Sequence, residues 1–347
     1  MNSAAAVRFS VALPLDAPVD VIGERARVAE QLGFDRVWLP DERLRRSVYV
    51  ALTACALRTE SVGLGVGVTN PYTRHPAVTA ASIASIEELR PGNVVLGLGA
   101  GGELSHLGLS PQRPRAAVRE SIETIRRLTG VSSDEHDRET APVGHRLEFG
   151  ERPIPIYVAS RGPRLLELAG ALADGVIIGG YATLAGFRYA MRQAEAGINS
   201  AGRRPSDVRR VAWLYTSLDP EPERARVAVR PIVLASMITS RDVLEEIGVQ
   251  LPKRLRMELD SKGWKLSRQE LVEASAQLDE TTVTAFSLAG DAAECAERLA
   301  ALVAAEGIDE VAFVCFPPTG TSVIELATRI TSDLVPAALA ALSKERA

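Results

Sequence analysis

The sequence predicts an α/β fold of the (β/α)₈ barrel type, as a single domain with insertions near 130–152 and 221–288. Three observations lead there. Short apolar runs alternate with segments of helical period along most of the chain, the runs number eight, and glycine-rich or polar residues gather just beyond their C-terminal ends. Runs that are apolar at nearly every position suit strands covered on both faces. Their alternation with helices points to parallel βα units. Eight such units close a barrel whose functional loops follow the strand C-termini. An open doubly wound sheet is the alternative topology.

The elements follow in order. Val7–Leu13 is a strand, and a Pro/Asp turn follows it. Val19–Leu32 carries Val21, Ile22, Ala26, Ala29 and Leu32 at helical spacing, and Gly33 is placed to end that helix. Arg36–Leu39 is the second strand, running into Pro40-Asp41-Glu42. Val48–Leu57 is a helix, Val62–Val68 the third strand, Ala77–Leu89 a helix stopped by Pro91-Gly92. Val94–Leu98 is the fourth strand and opens into Gly99-Ala100-Gly101-Gly102-Glu103; Pro114–Leu128 is a helix with a charged outer face. Gly130–Arg152 is polar and without period, the mark of a solvated insertion. Ile154–Ala159, Gly175–Ile178 and Val208–Leu218 are strands five to seven, with helices over Pro163–Leu172 and Leu184–Ala201. Glu221–Leu288 is expected as a mostly helical insertion broken at Gly248, Pro252 and Gly263. Asp291–Glu306 is an amphipathic helix, Glu310–Phe316 the eighth strand and Ser322–Leu342 the closing helix.

The 347 residues are 46% hydrophobic and 24% charged, with a net charge of −4. That is an ordinary globular composition. It offers no electrostatic reason for nucleic acid or an anionic membrane as partner. No apolar run is long enough to span a bilayer, and no signal peptide is expected at the N-terminus. Cys55, Cys295 and Cys315 are scattered among apolar neighbours and are expected to be buried thiols in a reducing cytoplasm. The four histidines have no companion at ligand spacing, so no metal site is expected. Neither a nucleophile triad nor a carboxylate pair of the glycosidase kind stands out.

What gathers at the strand ends suits a large flat or phosphorylated molecule. Gly65-Val66-Gly67-Val68-Thr69-Asn70-Pro71-Tyr72-Thr73-Arg74-His75-Pro76 begins as a buried strand, turns polar within two residues and leads into a helix. Ala159-Ser160-Arg161-Gly162-Pro163 opens a helix, with proline suited to its first turn. Such a terminus presents free N–H groups and a positive dipole end to an anion; Gly179-Gly180 offers a similar turn one unit later. Ordinary tight turns are the other explanation of both. Gly97-x-Gly99-x-Gly101 lacks the rest of a dinucleotide fingerprint. His75, before Pro76 at a helix start, fits a cap better than a catalyst. Trp38 and Trp213 are expected in the core, and Trp264 is a candidate for a substrate lid.

Together these residues resemble the bacterial-luciferase-like superfamily of flavin and deazaflavin oxidoreductases, in its coenzyme F420-dependent branch that includes methylenetetrahydromethanopterin reductase. The resemblance lies in Val37-Trp38-Leu39-Pro40-Asp41, Leu64 through Pro76, Leu96 through Gly101, Pro155 through Pro163 and Ala173-Asp174-Gly175. The segment from 64 to 76 is its specific part. It implies a TIM-like barrel and hydride transfer between reduced coenzyme F420 and a small organic substrate. It also implies a bulged third strand with a non-prolyl cis peptide, here Gly67–Val68, behind the deazaflavin ring. The matching cofactor positions are Asp41, Gly67, Val68, Thr69, Asn70, Gly101 and Gly102 around the ring. Ala159, Ser160, Arg161, Gly162, Pro163, Gly179 and Gly180 match the positions at the phosphate. Asp41 and Glu103 are the candidate catalytic groups. An extra glycine precedes Glu103, so either it or Gly102 takes the place of the family's loop acid. Tyr72, Arg74 and His75 are candidates to face substrate. A homodimer is implied by the likeness. FMN in a two-component monooxygenase, or a non-catalytic barrel serving binding or assembly, are the alternative functions.

Overall fold

A computed structural model describes residues 7–42, 44–102, 104–130, 146–150 and 152–345. Their strands join in one sheet, in the order β6-β5-β4-β3-β2-β1-β9-β7-β8, with β6 also pairing β7. Eight of them thereby close a parallel (β/α)₈ barrel, and β8 is a short addition on β7. The strands are β1 (Arg8–Ala12), β2 (Arg36–Leu39), β3 (Gly63–Thr69), β4 (Val94–Leu98), β5 (Ile156–Ser160), β6 (Gly175–Gly179), β7 (Arg209–Leu218), β8 (Ser287–Gly290) and β9 (Glu310–Cys315). The expected eight strands are all present within a residue or two of their predicted ends.

The ninth is a correction. Glu221–Leu288 is expected as mostly helical, with no strand named in it, yet Ser287–Gly290 at its end pairs with Tyr215–Leu218 in register. The reason is local. The strand follows α10 (Glu280–Phe286) with no turn residue between them, so nothing in the sequence marks where the helix ends and the four-residue strand begins. The rest of that insertion is helical as expected, over α7 (Pro222–Thr239), α8 (Lys253–Ser261) and α9 (Arg268–Ser275). Of the first insertion, residues 131–145 and Glu151 lie outside the described residues.

The chain divides into two compact units, one formed by Ala12–Ile177 with Gln193–Arg209, the other by the described residues 7–11, Ile178–Arg192 and 210–345. In the first, α1 (Val19–Gln31), α2 (Val48–Arg58), α3 (Pro76–Leu89), α4 (Pro114–Thr129) and α5 (Pro163–Leu172) follow the strands. Trp38 is fully buried there on β2, where its ring lies over the Gly65 backbone. A Cβ on Gly65 would stand 2.4 Å from the indole Cε3, so no side chain larger than hydrogen fits. The second unit has an aromatic core. Tyr181 packs edge-on against Phe286 at 5.8 Å and against Tyr189 at 6.2 Å between ring centres. Trp213 on β7 is only half-buried, against the expectation for a core residue.

Side chains cap the starts of the later helices. Asp291 accepts the Glu294 N–H at 2.9 Å to start α11 (Ala292–Glu306). Ser322 and Glu325 form a reciprocal capping box at the start of α12 (Val323–Arg329). That helix continues through a π-helical turn, Ile330–Leu334, into α13 (Val335–Glu345). The three cysteines are buried free thiols. Among the described residues no helix is long and apolar enough to cross a membrane.

One carboxylate ties α1 to the entry of β3. Glu30 Oε1 accepts the N–H groups of Ser61 at 2.6 Å and Val62 at 2.8 Å, and the Glu60 N–H at 2.9 Å. Partial burial alone would raise its pKa, but these backbone donors favour the anion and hold it below the ordinary carboxylate value. A depressed folded-state pKa adds stability above the unfolded value that disappears as pH falls through the folded one. Glu30→Gln is therefore expected to lower the urea midpoint at pH 7, with the gap from wild type closing below about pH 4, the ordinary carboxylate range. Parallel urea titrations at pH 7, 5 and 3 check this; a gap independent of pH contradicts it.

Candidate functional site

The site grows from the end of β3. Val66 pairs with Leu96 and Thr69 with Leu98, so three steps along β3 match two along β4. That is a β-bulge, and the Gly67–Val68 peptide within it is cis. The displaced backbone needs room on β4. A Cβ on Gly97 would lie 2.3 Å from the Val66 carbonyl oxygen and 2.7 Å from Val68 Cγ1, and one on Gly99 would lie 3.0 Å from Val68 Cγ2. The Gly97-x-Gly99 run, without meaning as a dinucleotide motif, is the space the bulge occupies.

One residue past the bulge, Thr69 is fully buried and its Oγ1 donates to Asp41 Oδ2 at 2.7 Å. Asp41 follows Pro40 at the exit of β2. The same Oδ2 accepts Arg74 Nη1 at 2.5 Å, and Oδ1 lies 3.4 Å from Arg74 Nη2. The guanidinium carbon of Arg74 sits 5.0 Å from the centre of the Tyr49 ring, a cation–π distance. The hydrogen bond to Asp41 raises the Arg74 pKa further and keeps it charged. Burial pushes the Tyr49 hydroxyl up to about 12, so it stays neutral beside the Thr69 and Thr79 side chains. Four residues from β2, α2, β3 and the β3–α3 loop thus form one polar cluster at the strand ends.

The rest of the loop is shaped by its own side chains. Asn70 is buried, and its Oδ1 accepts the N–H groups of Tyr72 and Thr73, each at 3.0 Å. This is an Asx turn. The Tyr72 hydroxyl donates to the Gln112 carbonyl at 2.9 Å, tying the loop to the segment before α4, and burial raises its pKa. His75 is exposed, and its Nδ1 accepts the Ala77 N–H at 3.2 Å as the N-cap of α3. Beyond β4, Gly101 has φ +79° and Gly102 is exposed with open space around it. Glu103 lies outside the described residues.

At the end of β5, Ala159, Ser160 and Arg161 are half-buried, and Gly162 and Pro163 are exposed. Ser160 Oγ accepts the Gly162 N–H at 3.0 Å. Gly162 is the N-cap of α5 and Pro163 opens its first turn. The next N–H groups have no intrahelical acceptor. In the other unit, Gly180 has φ +78°, its N–H donates to the Trp213 carbonyl at 2.9 Å, and a Cβ there would lie 2.9 Å from Tyr215 Cε2. Gly179 before it is half-buried. Trp264 has φ +60° and donates from Nε1 to Asp260 Oδ1 at 2.8 Å within its own insertion.

Asp41 and Thr69, expected at the strand ends, are in contact there; Arg74, a candidate to face substrate, is turned onto Asp41; and Tyr49, not among the expected site residues, joins the cluster. The signal for Tyr49 was faint: a single aromatic ring near the start of an aliphatic helix.

The chain matches the family described as luciferase-like monooxygenase over residues 3–310. It is 34% identical over 287 residues to the 5,10-methylenetetrahydromethanopterin reductase of Methanolobus tindarius, covering 81% of this chain and 86% of that protein. An F420-dependent glucose-6-phosphate dehydrogenase of Amycolatopsis mediterranei is 29% identical over 263 residues, 68% of this chain and 78% of that protein. Among solved structures, the coenzyme F420 dependent tetrahydromethanopterin reductase from Methanopyrus kandleri superposes with a TM-score of 0.76 at 26% identity, covering 96% of this chain and 99% of that one. With a barrel whose third strand is bulged at Gly67–Val68 and a family match spanning most of its length, the chain belongs to the luciferase-like monooxygenase family.

Proposed function

We propose that this protein is a coenzyme F420-dependent oxidoreductase that moves a hydride between the deazaflavin and a small organic substrate. The observation that carries this reading is the 34% identity, over 81% of the chain, to a methylenetetrahydromethanopterin reductase. The residues present fit the group. Asp41 offers a partly exposed acceptor at the strand ends, and the glycines of β4 let backbone approach closely. The first turn of α5 offers N–H donors to a phosphate, and Ser160, whose Oγ accepts the Gly162 N–H and donates to the Gly162 carbonyl, braces that turn. The chemistry supplied by the bound deazaflavin is hydride donation or acceptance at C5. The chain's part is to bind, orient and exclude water. The bulged β3 backbone would back the ring, Asp41 would accept from a ring N–H, and the α5 N-terminus would take the phosphate. A pterin-linked one-carbon unit is the first substrate to assay, because the chain is 38% and 34% identical to two reductases of that kind.

We also propose a homodimer built on the outer faces of α2 and α3. Val50 and Leu57 lie two turns apart on α2, and Val78 and Leu89 three turns apart on α3, so each exposed pair forms one apolar stripe. The two helices are neighbours.

Three measurements test these readings. Titration of the purified protein with F420 and with FMN, in oxidised and reduced forms, is expected to give saturable binding of F420 alone. Tight FMN binding without F420 binding overturns the cofactor assignment, and affinity for neither favours a non-catalytic barrel. Ser160→Asp places a second negative charge beside the α5 terminus and is expected to weaken F420 binding about tenfold or more, a change of ~1.4 kcal/mol; unchanged affinity removes the phosphate from this turn. Sedimentation equilibrium should return a dimer for the wild type and a monomer for Leu57→Glu/Val78→Glu, and a monomeric wild type rules the dimer out.

A further inference from the structure

We propose that Arg74 is a positioning residue for Asp41. With Thr69 it fixes the carboxylate so that Oδ1 is left to accept an N–H from the bound heterocycle; this rests on the cofactor reading above.

The geometry is asymmetric. Oδ2 takes two short donors, Thr69 Oγ1 at 2.7 Å and Arg74 Nη1 at 2.5 Å, whereas among the described residues Oδ1 has only the 3.4 Å approach of Nη2. A carboxylate has about four acceptor directions, two per oxygen, so the capacity that remains is concentrated on Oδ1. The Asp41 side chain keeps 14% of its surface exposed, so the group is not sealed from a ligand. Its charge is already countered by a cation held on the Tyr49 ring. A neutral N–H therefore suits it as a partner, and an anion does not.

Both clamps are placed by the local shape of β3 and the loop after it. Thr69 stands one residue after the bulge, so the register shift decides where its hydroxyl lies. Arg74 leaves the Asx turn made by Asn70, which bends the loop back toward β2. A lysine would supply charge but not the planar fork or its stacking on tyrosine. Asp41 thereby serves as a fixed acceptor, not as a group that shuttles a proton.

The test is a mutant cycle read by F420 affinity in the full-length protein, with urea midpoints measured alongside. Arg74→Met and Asp41→Asn are each expected to weaken binding about tenfold or more, since truncating one partner of a paired charge also strands the other. Arg74→Lys should restore only part of the loss. The double variant should lose no more than the worse single one, because each removes the same acceptor. Thr69→Val, which keeps shape and removes the donor, gives a smaller loss and covers the case in which Arg74→Met fails to fold. Losses that add in the double variant, full rescue by lysine, or losses that follow the urea midpoints alone overturn the inference. Wild-type binding with all variants unchanged overturns it while leaving the cofactor reading intact, and no F420 binding by the wild type overturns both.

Discussion

The approach of the Val66 carbonyl to the Gly97 backbone is the constraint on which the candidate site depends. At 2.3 Å from where a Cβ would stand, it leaves β4 no choice but glycine. It also lets β3 spend an extra residue without breaking its pairing at Leu98. Two members of the polar cluster, Thr69 and Arg74, lie downstream of that step. Slipping the end of a strand by one residue turns each later side chain to the opposite face. Without the bulge Thr69 would point away from Asp41.

The cluster also shows how a charged group is kept at a strand end of modest exposure. Asp41 and Arg74 retain 14% and 26% of their side-chain surface, an intermediate position where an ion pair is screened but not freely solvated. Each charge has more than its opposite. The carboxylate has a buried threonine hydroxyl, and the guanidinium has an aromatic face. Such supports reduce the rotamer freedom that usually makes exposed pairs weak. They also explain why the loop from Asn70 to His75 is densely bonded to itself: its side chains serve turn, tether and cap before any ligand is considered.

The fold was legible because its signal is repeated. Eight apolar runs, each set between segments of helical period, leave few topologies, and terminal residues such as Gly33 after α1 and Asp291 before α11 mark boundaries locally. Ser287–Gly290 was not legible. A four-residue strand continuous with a helix has no period of its own, and only its pairing with Tyr215–Leu218 identifies it. At the site, Asp41, Thr69 and the Ser160 turn could be named from their place after strands, and His75 from its place before a proline. Tyr49 could not, because nothing in α2 tells which face its one aromatic ring turns to.

The sequence by itself determined the barrel class, the strand and helix order, the absence of disulfide spacing and the strand ends where polar residues and glycines gather. These follow from hydrophobic period and turn chemistry, which act over a few residues. Tertiary structure alone decided that Arg74 faces Asp41 across thirty-three positions of chain, that Gly97 makes room for Val66, and that Tyr49 lies under the guanidinium. Those are contacts between residues distant in sequence, set by how β2, β3 and β4 align, and no local pattern encodes that alignment.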